Sequence, residues 1–438
     1  MDNELKQHTV LSGTGLVVAD MIGVGVLVST GYMAQEMSAK PILIAWLLGT
    51  MVAICGVIAY SGVVAAIRES GGEYRFLSDL IHPFLGYIAG WGSLVLGFSA
   101  AIAVDAHAIG SFLNTLVPGP DPRIAGAIVV VTMTLLHAYD TKLSHKGQNL
   151  LVSFKFSFLL LFVLLALIMG NNTMPAWSPP NNTEGFPWIK VIENQFWIAF
   201  AFSGWNAAVY AAGEFHNPGR DVPRSMMIGL VVVAILYLAI NWVFVANLTP
   251  ADAVAVFTYE ETRITLAHLI ANDIFGQHGG KIVSSLVIIA FLSAISAMMI
   301  IGPRIYTAMA HDGYLPKIFK SCNGKPPVNA TLLQAAVSLL FLFSHTLREA
   351  VLGASAFLLL FTALTALSLF RLRRHNRQPY PSHYQLVAST IFIVAVTVIL
   401  VTGLQTATVQ WYAFGVVLLL ATLSYLATLY VRRYKGTE

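Results

Sequence analysis

Apolar residues arrive along this chain in long blocks, separated by short stretches that hold nearly all of the charge. A helix that crosses a bilayer needs about 20 largely apolar residues. Twelve blocks approach that length, near residues 10–34, 41–66, 84–115, 122–139, 147–170, 191–213, 226–248, 280–308, 330–345, 350–371, 384–404 and 409–431. The pattern predicts an all-α membrane protein, one transmembrane domain over residues 1–438 with twelve transmembrane helices, short loops and no room for a separate soluble domain. The first block is too long for a cleavable signal peptide and contains Asp20, so it is read as a span.

Composition supports a lipid-facing surface. Of the 438 residues 57% are hydrophobic and 11% charged, with a mean hydropathy of +0.72, whereas soluble domains carry roughly 25% charged residues. The formal charge of +4 is no sign of a nucleic-acid partner, because the basic residues fall in alternate loops. With the N-terminus inside, cytoplasmic segments hold 18 Lys and Arg and outer segments 6, so both termini are expected in the cytoplasm, with a bacterial inner membrane as the setting. Lys155, the twenty-fifth basic residue, falls inside a span. Cys55 and Cys322 form no disulfide framework, and no cysteine lies between spans 3 and 4, so no disulfide-linked ancillary subunit is expected.

Spans 1 and 6 depart from simple hydropathy. Span 1 contains Gly13, Gly15, Gly23, Gly25 and Gly31, and span 6 contains Gly204 and Gly213. An interior glycine costs about 1 kcal/mol relative to alanine in a helix. Such clusters serve close packing between helices or mark interruptions that line a cavity. Two of them, five spans apart, match a five-plus-five inverted repeat whose broken helices build a binding site. The repeats would cover about 10–170 and 191–371, leaving two peripheral helices at about 384–431.

Loop motifs add a family likeness. They are Ser70-Gly-Gly-Glu-Tyr74 with Pro83-Phe-Leu-Gly-Tyr87, Gly204-Trp-Asn206 with Asn217-Pro-Gly-Arg-Asp-Val-Pro-Arg224, Arg304 to Pro316, and Arg371-Leu-Arg-Arg374 with Gln378-Pro-Tyr380. In this order and spacing the set resembles the amino acid–polyamine–organocation transporters, particularly bacterial amino-acid permeases and L-type amino acid transporters. The Gly-Gly pair suits a tight turn, and Asn-Pro and Val-Pro are expected to punctuate the loop after span 6. Arg220, Arg224 and Arg304 read as topology and scaffold residues.

The resemblance implies a LeuT-type fold with discontinuous helices 1 and 6, and secondary active transport of amino acids by alternating access. It also implies a binding site. Met21, Ile22, Gly23, Val24 and Gly25 would form the break in span 1, and Phe200, Ser203 and Gly204 the opposing side, with Phe200 as an aromatic gate. The substrate's carboxylate would meet backbone N–H groups of span 1, and its ammonium the freed carbonyls of both breaks. Decarboxylated analogues should then bind more weakly than the parent amino acid. Val24 stands where relatives carry a small hydroxyl residue, and Ala101 where arginine–agmatine antiporters carry an amide. With Phe200 and Phe202, these favour a neutral, small-to-medium apolar substrate. An exchanger or a cationic amino-acid or polyamine carrier of the same fold is the alternative.

Five ionisable groups sit within spans: Asp20, Asp105, His107, Lys155 and Glu214. A charge at mid-bilayer costs about 2.5 kcal/mol or more on insertion scales. Glu214 reads as solvated near the span end and His107 as an interior histidine; Asp105 and His107, two residues apart, face differently and form no dyad. Asp20 is open to three roles: a partner for a cationic substrate, a proton carrier, or a ligand of local backbone. Asp20 and Asp105 together would suit a dication. The resemblance places Lys155 where sodium-coupled relatives bind a cation, bridging carbonyls of span 1 and hydroxyls of span 8, for which Ser293 and Ser296 are candidates. It would act there as a fixed pin or as a proton carrier, without sodium. No metal-ligand spacing, nucleophile elbow or carboxylate cluster points to a metal, a cofactor or an enzyme, and a channel would need pore-lining rings from an oligomer.

Overall fold

The computed structural model describes residues 8–139, 141–175, 177–180, 185–320, 327–372, 374, 376–406 and 411–435. Among these, regular structure is helical, and the only bridge pairing is an isolated one between His8 and Phe215. Among the described residues eight helical segments are long and apolar enough to cross a membrane, with two shorter apolar helices at Pro122–Ala138 and Val328–Ser344.

The first span is two helices, α1 (Val10–Met21) and α2 (Val24–Ala34). Thr9 and Ser12 cap α1 reciprocally. Ile22 and Gly23 between the two helices are extended. Then follow α3 (Ala39–Ala66), α4 (Gly72–Leu80) and α5 (Pro83–Gly92), which runs through a π-helical turn at Ser93–Ser99 into α6 (Ala100–Leu116). Helix α7 (Pro122–Tyr139) precedes α8 (Thr141–Met169). The sixth span comprises α9 (Trp188–Glu193), α10 (Gln195–Phe202), a turn at 203–206, and the short α11 (Ala207–Tyr210). Helix α12 is Pro218–Asn247. Asn217 and Pro218 do start this helix, but Pro223 lies inside it, not in a loop. So close to the helix start, proline forfeits a single backbone bond.

Beyond α12, α13 (Pro250–Thr258), α14 (Glu260–Ile264) and α15 (Leu266–His311) make the segment ahead of residue 280 helical. Helix α15 is interrupted at Gly276, whose φ of 75° lies in the left-handed region. The remaining helices are α16 (Val328–Ser344), α17 (Leu347–Ser368), α18 (His383–Gln405) and α19 (Trp411–Lys435).

One continuous apolar core joins α1, α2, α3, α6, α10, α12 and α15. Helix α12 packs on α1 and α3, while α15 packs on α6 and α8. Helices α7, α8 and α18 turn residues such as Ile128, Leu135, Leu161, Ile168, Ile391 and Val398 outward. Apolar faces of that extent belong against lipid.

Glycines set the closest approaches in the core. A Cβ on Gly25 would lie 2.4 Å from Ala201 Cα, a backbone contact that no rotamer change relieves. Gly15, in the middle of α1, has nothing within 4 Å of that position. Gly25→Ala should therefore destabilise the fold by about 1–3 kcal/mol through overpacking. Gly15→Ala should be neutral or stabilising by up to about 1 kcal/mol. Thermal unfolding of the two purified variants in detergent checks the contrast; equal melting temperatures would contradict it.

Candidate functional site

Interrupting a helix frees carbonyls on one side of the gap and amides on the other. In the first span, charged and phenolic side chains from three other helices meet them. Lys155, on α8 and fully buried, donates through Nζ to Ala19 O at 2.8 Å and Ile22 O at 2.6 Å. Tyr237 Oη on α12 lies 2.5 Å from Met21 O and 3.0 Å from Ala201 O, so one hydroxyl ties the end of α1 to the end of α10. On the amide side, Val24 N–H donates to Asp105 Oδ1 at 3.0 Å, from the buried Asp105 of α6. A cation thus sits at the C-terminus of α1 and an anion at the N-terminus of α2, the arrangement each helix dipole favours.

Both hydrogen bonds of Lys155 go to carbonyls. Ser293 and Ser296 are buried on α15 and flank Ala294, which packs within 3.4 Å of the Cβ position of Gly23. Asp105 bonds to backbone and makes no dyad with His107. Glu214 is not simply solvated: it pairs with Arg304 at 3.2 Å and with His8 at 3.4 Å.

The break in the sixth span is held differently. Ser203 turns back onto Phe200 O through both its N–H and its hydroxyl, at 3.0 and 2.6 Å. Trp205 N–H reaches Phe202 O, and Ala207 N–H reaches Gly204 O. Gly204 takes φ 97°, and a Cβ there would sit 2.7 Å from Asp20 Oδ2. Behind this turn lies Glu73, which accepts from Tyr60 Oη at 2.8 Å, Asn206 Nδ2 at 2.5 Å and Tyr210 Oη at 2.5 Å. In the sequence Glu73 stood within the Ser70–Tyr74 motif with no role of its own. Its signal was a carboxylate beside a Gly-Gly pair, with tyrosines in two spans to satisfy it. Gly71 and Gly72 make that turn with φ of 126° and 58°.

Between the two breaks lies a small cavity. Its wall comprises Asp20, Ser93, Gly97, Phe98, Ala101, Ser203, Gly204, Asn206, Tyr210, Met298 and Leu358. Ser93, Gly97 and Phe98 come from the π-helical turn, a feature that often marks functional sites. Of the residues expected to bind substrate, Ser203 and Gly204 line this cavity with Asp20. Met21, Ile22, Gly23, Val24, Gly25 and Phe200 are not among the residues that line it. A second void lies on the other face of the 203–206 turn between α3, α10, α17 and α18, and among the described residues no charged one lines it.

Apolar helices interrupted at two facing points, with a cation and an anion holding the first interruption and a cavity that Asp20 helps to line between the two, fit a membrane transporter. The match to known sequences narrows the class. The model of the amino acid permease family matches residues 9–426, and the chain belongs to that family, within the amino acid–polyamine–organocation superfamily. It is 26% identical to the serine/threonine exchanger SteT of Bacillus subtilis over 352 residues, 78% of this chain and 77% of the relative. It is 24% identical to the human large neutral amino acids transporter small subunit 2 over 359 residues, 77% of this chain but 64% of that longer protein. It is 21% identical to the mouse b(0,+)-type amino acid transporter 1 over 382 residues, 84% of this chain and 76% of the relative.

Three donors converge on Glu73, and two of them, from Asn206 and Tyr210, also line the cavity. Glu73→Ala strands all three, at about 1–3 kcal/mol for each group left unsatisfied, and Glu73→Gln sets an amide N–H₂ against donors. Both variants should insert but lose at least about tenfold in initial uptake rate in proteoliposomes. Parental rates in Glu73→Ala would remove Glu73 from the machinery that shapes the cavity.

Proposed function

We propose that this amino acid permease is a sodium-independent secondary transporter that binds its substrate in the cavity beside Asp20 and works by alternating access. The observation that carries the coupling part is the Lys155 ammonium on the carbonyls of Ala19 and Ile22. A fixed cation at the end of α1 does there what a bound sodium ion would do: it neutralises the freed carbonyls and joins α8 to the break. Ser293 and Ser296 stand beside Ala294 on the α15 side of the gap, where they are the candidates to face the same cation. Lys155 acts as a structural pin or as a proton carrier.

The architecture that goes with this reading has twelve spans, the first ten in a five-plus-five inverted repeat of LeuT type and the last two peripheral. Both termini lie in the cytoplasm, by the distribution of basic loops, and the setting is a bacterial inner membrane. Phe98, Ala101, Met298 and Leu358 give the cavity an apolar wall, which favours a neutral substrate side chain of small to medium size, in keeping with the neutral amino acids in a relative's name. A net-cationic substrate is the second reading, and Asp20 in the wall favours it.

Lys155→Ala leaves two buried carbonyls without a donor, at about 1–3 kcal/mol each. Transport by this variant in proteoliposomes should fall to background, while replacing sodium by choline should leave the parent unchanged. Marked sodium stimulation of the parent, or full activity of the variant, would sink the substitution of Lys155 for sodium. Loading the vesicles with unlabelled substrate separates modes: uptake only into loaded vesicles means exchange, and uptake into empty ones means uniport or symport. If Lys155→Ala is inactive and the parent's rate is flat with pH, Lys155 is a pin.

A further inference from the structure

Several of the groups that an amino acid zwitterion would use at the two breaks are already engaged by the protein. At the N-terminus of α2, Val24 N–H holds Asp105 Oδ1 at 3.0 Å, and both oxygens of that carboxylate lie within 3.6 Å of the Cβ position of Gly23. The positive end of this half-helix therefore has its anion, delivered from α6. On the carbonyl side, Ala19 and Ile22 accept from Lys155. Phe200 O accepts from Ser203, and the single proton of Tyr237 Oη serves Met21 O at 2.5 Å with Ala201 O as its other acceptor within reach at 3.0 Å.

Asp20 is different. It is the only charged residue in the cavity wall, and its Oδ1 is buried with no hydrogen-bond partner. Lys155 directs its own bonds to carbonyls and not to this carboxylate. At the first break two carboxylates, Asp20 and Asp105, stand against one ammonium, Lys155, and Asp20 carries the buried oxygen without a partner. A ligand ammonium gives that carboxylate a partner. A zwitterion also brings a further carboxylate into a low-dielectric site, where like charges repel strongly.

We propose that the cavity selects its ligand by the ammonium alone, preferring small primary amines with an apolar body over amino acid zwitterions. These amines are the decarboxylated or carboxyl-blocked counterparts of neutral amino acids. Asp20 is the counter-ion, and Asp105 holds the place of the ligand's carboxylate. Phe98, Ala101, Met298 and Leu358 receive the apolar body, while Ser203 and Asn206 supply polar contacts beside the ammonium. This proposal rests on the transport reading of the same cavity and reverses the expectation that decarboxylated analogues bind more weakly.

The test compares matched ligands on the purified full-length chain in nanodiscs: leucine, 3-methylbutylamine and leucine methyl ester, by thermal shift and by competition for uptake. The amine and the ester should bind at least about tenfold more tightly than leucine. Asp20→Asn should weaken the amine by about tenfold or more, as loss of a buried charge partner does, with less effect on leucine. Asp105→Ala, which frees Val24 N–H, should narrow the gap between amine and leucine. The comparison on the parent chain stands even if a variant fails to fold. Leucine binding more tightly than the amine overturns selection by the ammonium and leaves the transport reading intact, and amine affinity unchanged in Asp20→Asn removes Asp20 as counter-ion. If neither these ligands nor any of the common amino acids binds or is moved, the transport reading of the cavity falls with the proposal.

Discussion

Inside a bilayer no backbone polar group goes unpaired without large cost, and that constraint organises this molecule. Once Ile22 and Gly23 leave the helix, the carbonyls behind them and the amide of Val24 ahead need partners that lipid does not provide. The chain supplies an ammonium from α8, a phenol from α12 and a carboxylate from α6. Each charged group is expensive to bury alone. Placed at complementary helix ends, the cation and anion offset one another and the two half-dipoles they cap. The break is therefore the point on which three distant helices converge.

The sixth span answers the same constraint with local chemistry. Gly204 in the left-handed region lets the chain turn within four residues, and Ser203, Trp205 and Ala207 recover the bonds from within the turn. Only Asn206 reaches out, to Glu73. The two solutions are then fastened together. Tyr237 touches a carbonyl on each side, Gly25 brings α2 against the backbone of α10, and Asp20 lies against Gly204.

Hydropathy made the bundle legible, since an apolar block of adequate length has few other uses. The breaks were legible as glycine clusters, because Gly23 and Gly25, and Gly204 opposite, are costly in uninterrupted helices. What the sequence did not disclose was pairing over distance. Asp105 is 81 positions from Val24 and Glu73 is 133 from Asn206, and no local pattern links such residues. Lys155 stood out as a charge within a span, but its two carbonyl partners follow from packing. Local signals also misled where context won. Pro223 looked like a loop breaker and was absorbed near the start of α12, and Glu214 looked solvated and pairs with Arg304.

The distribution of bonds around the cavity also decides which of its walls parts more cheaply. Separating α1 from α10 breaks both contacts of Tyr237 and lifts Asp20 from Gly204. The wall formed by Gly97, Phe98, Ala101, Met298 and Leu358 presents mainly apolar surface to the cavity. Parting it costs area and, because α6 also carries Asp105, the bond from Val24 N–H as well, while water or ligand entering the cavity returns part of that cost by solvating Asp20. The fastenings at the breaks thus draw α1, α2, α10 and α12 together, and α6 belongs with them through Asp105.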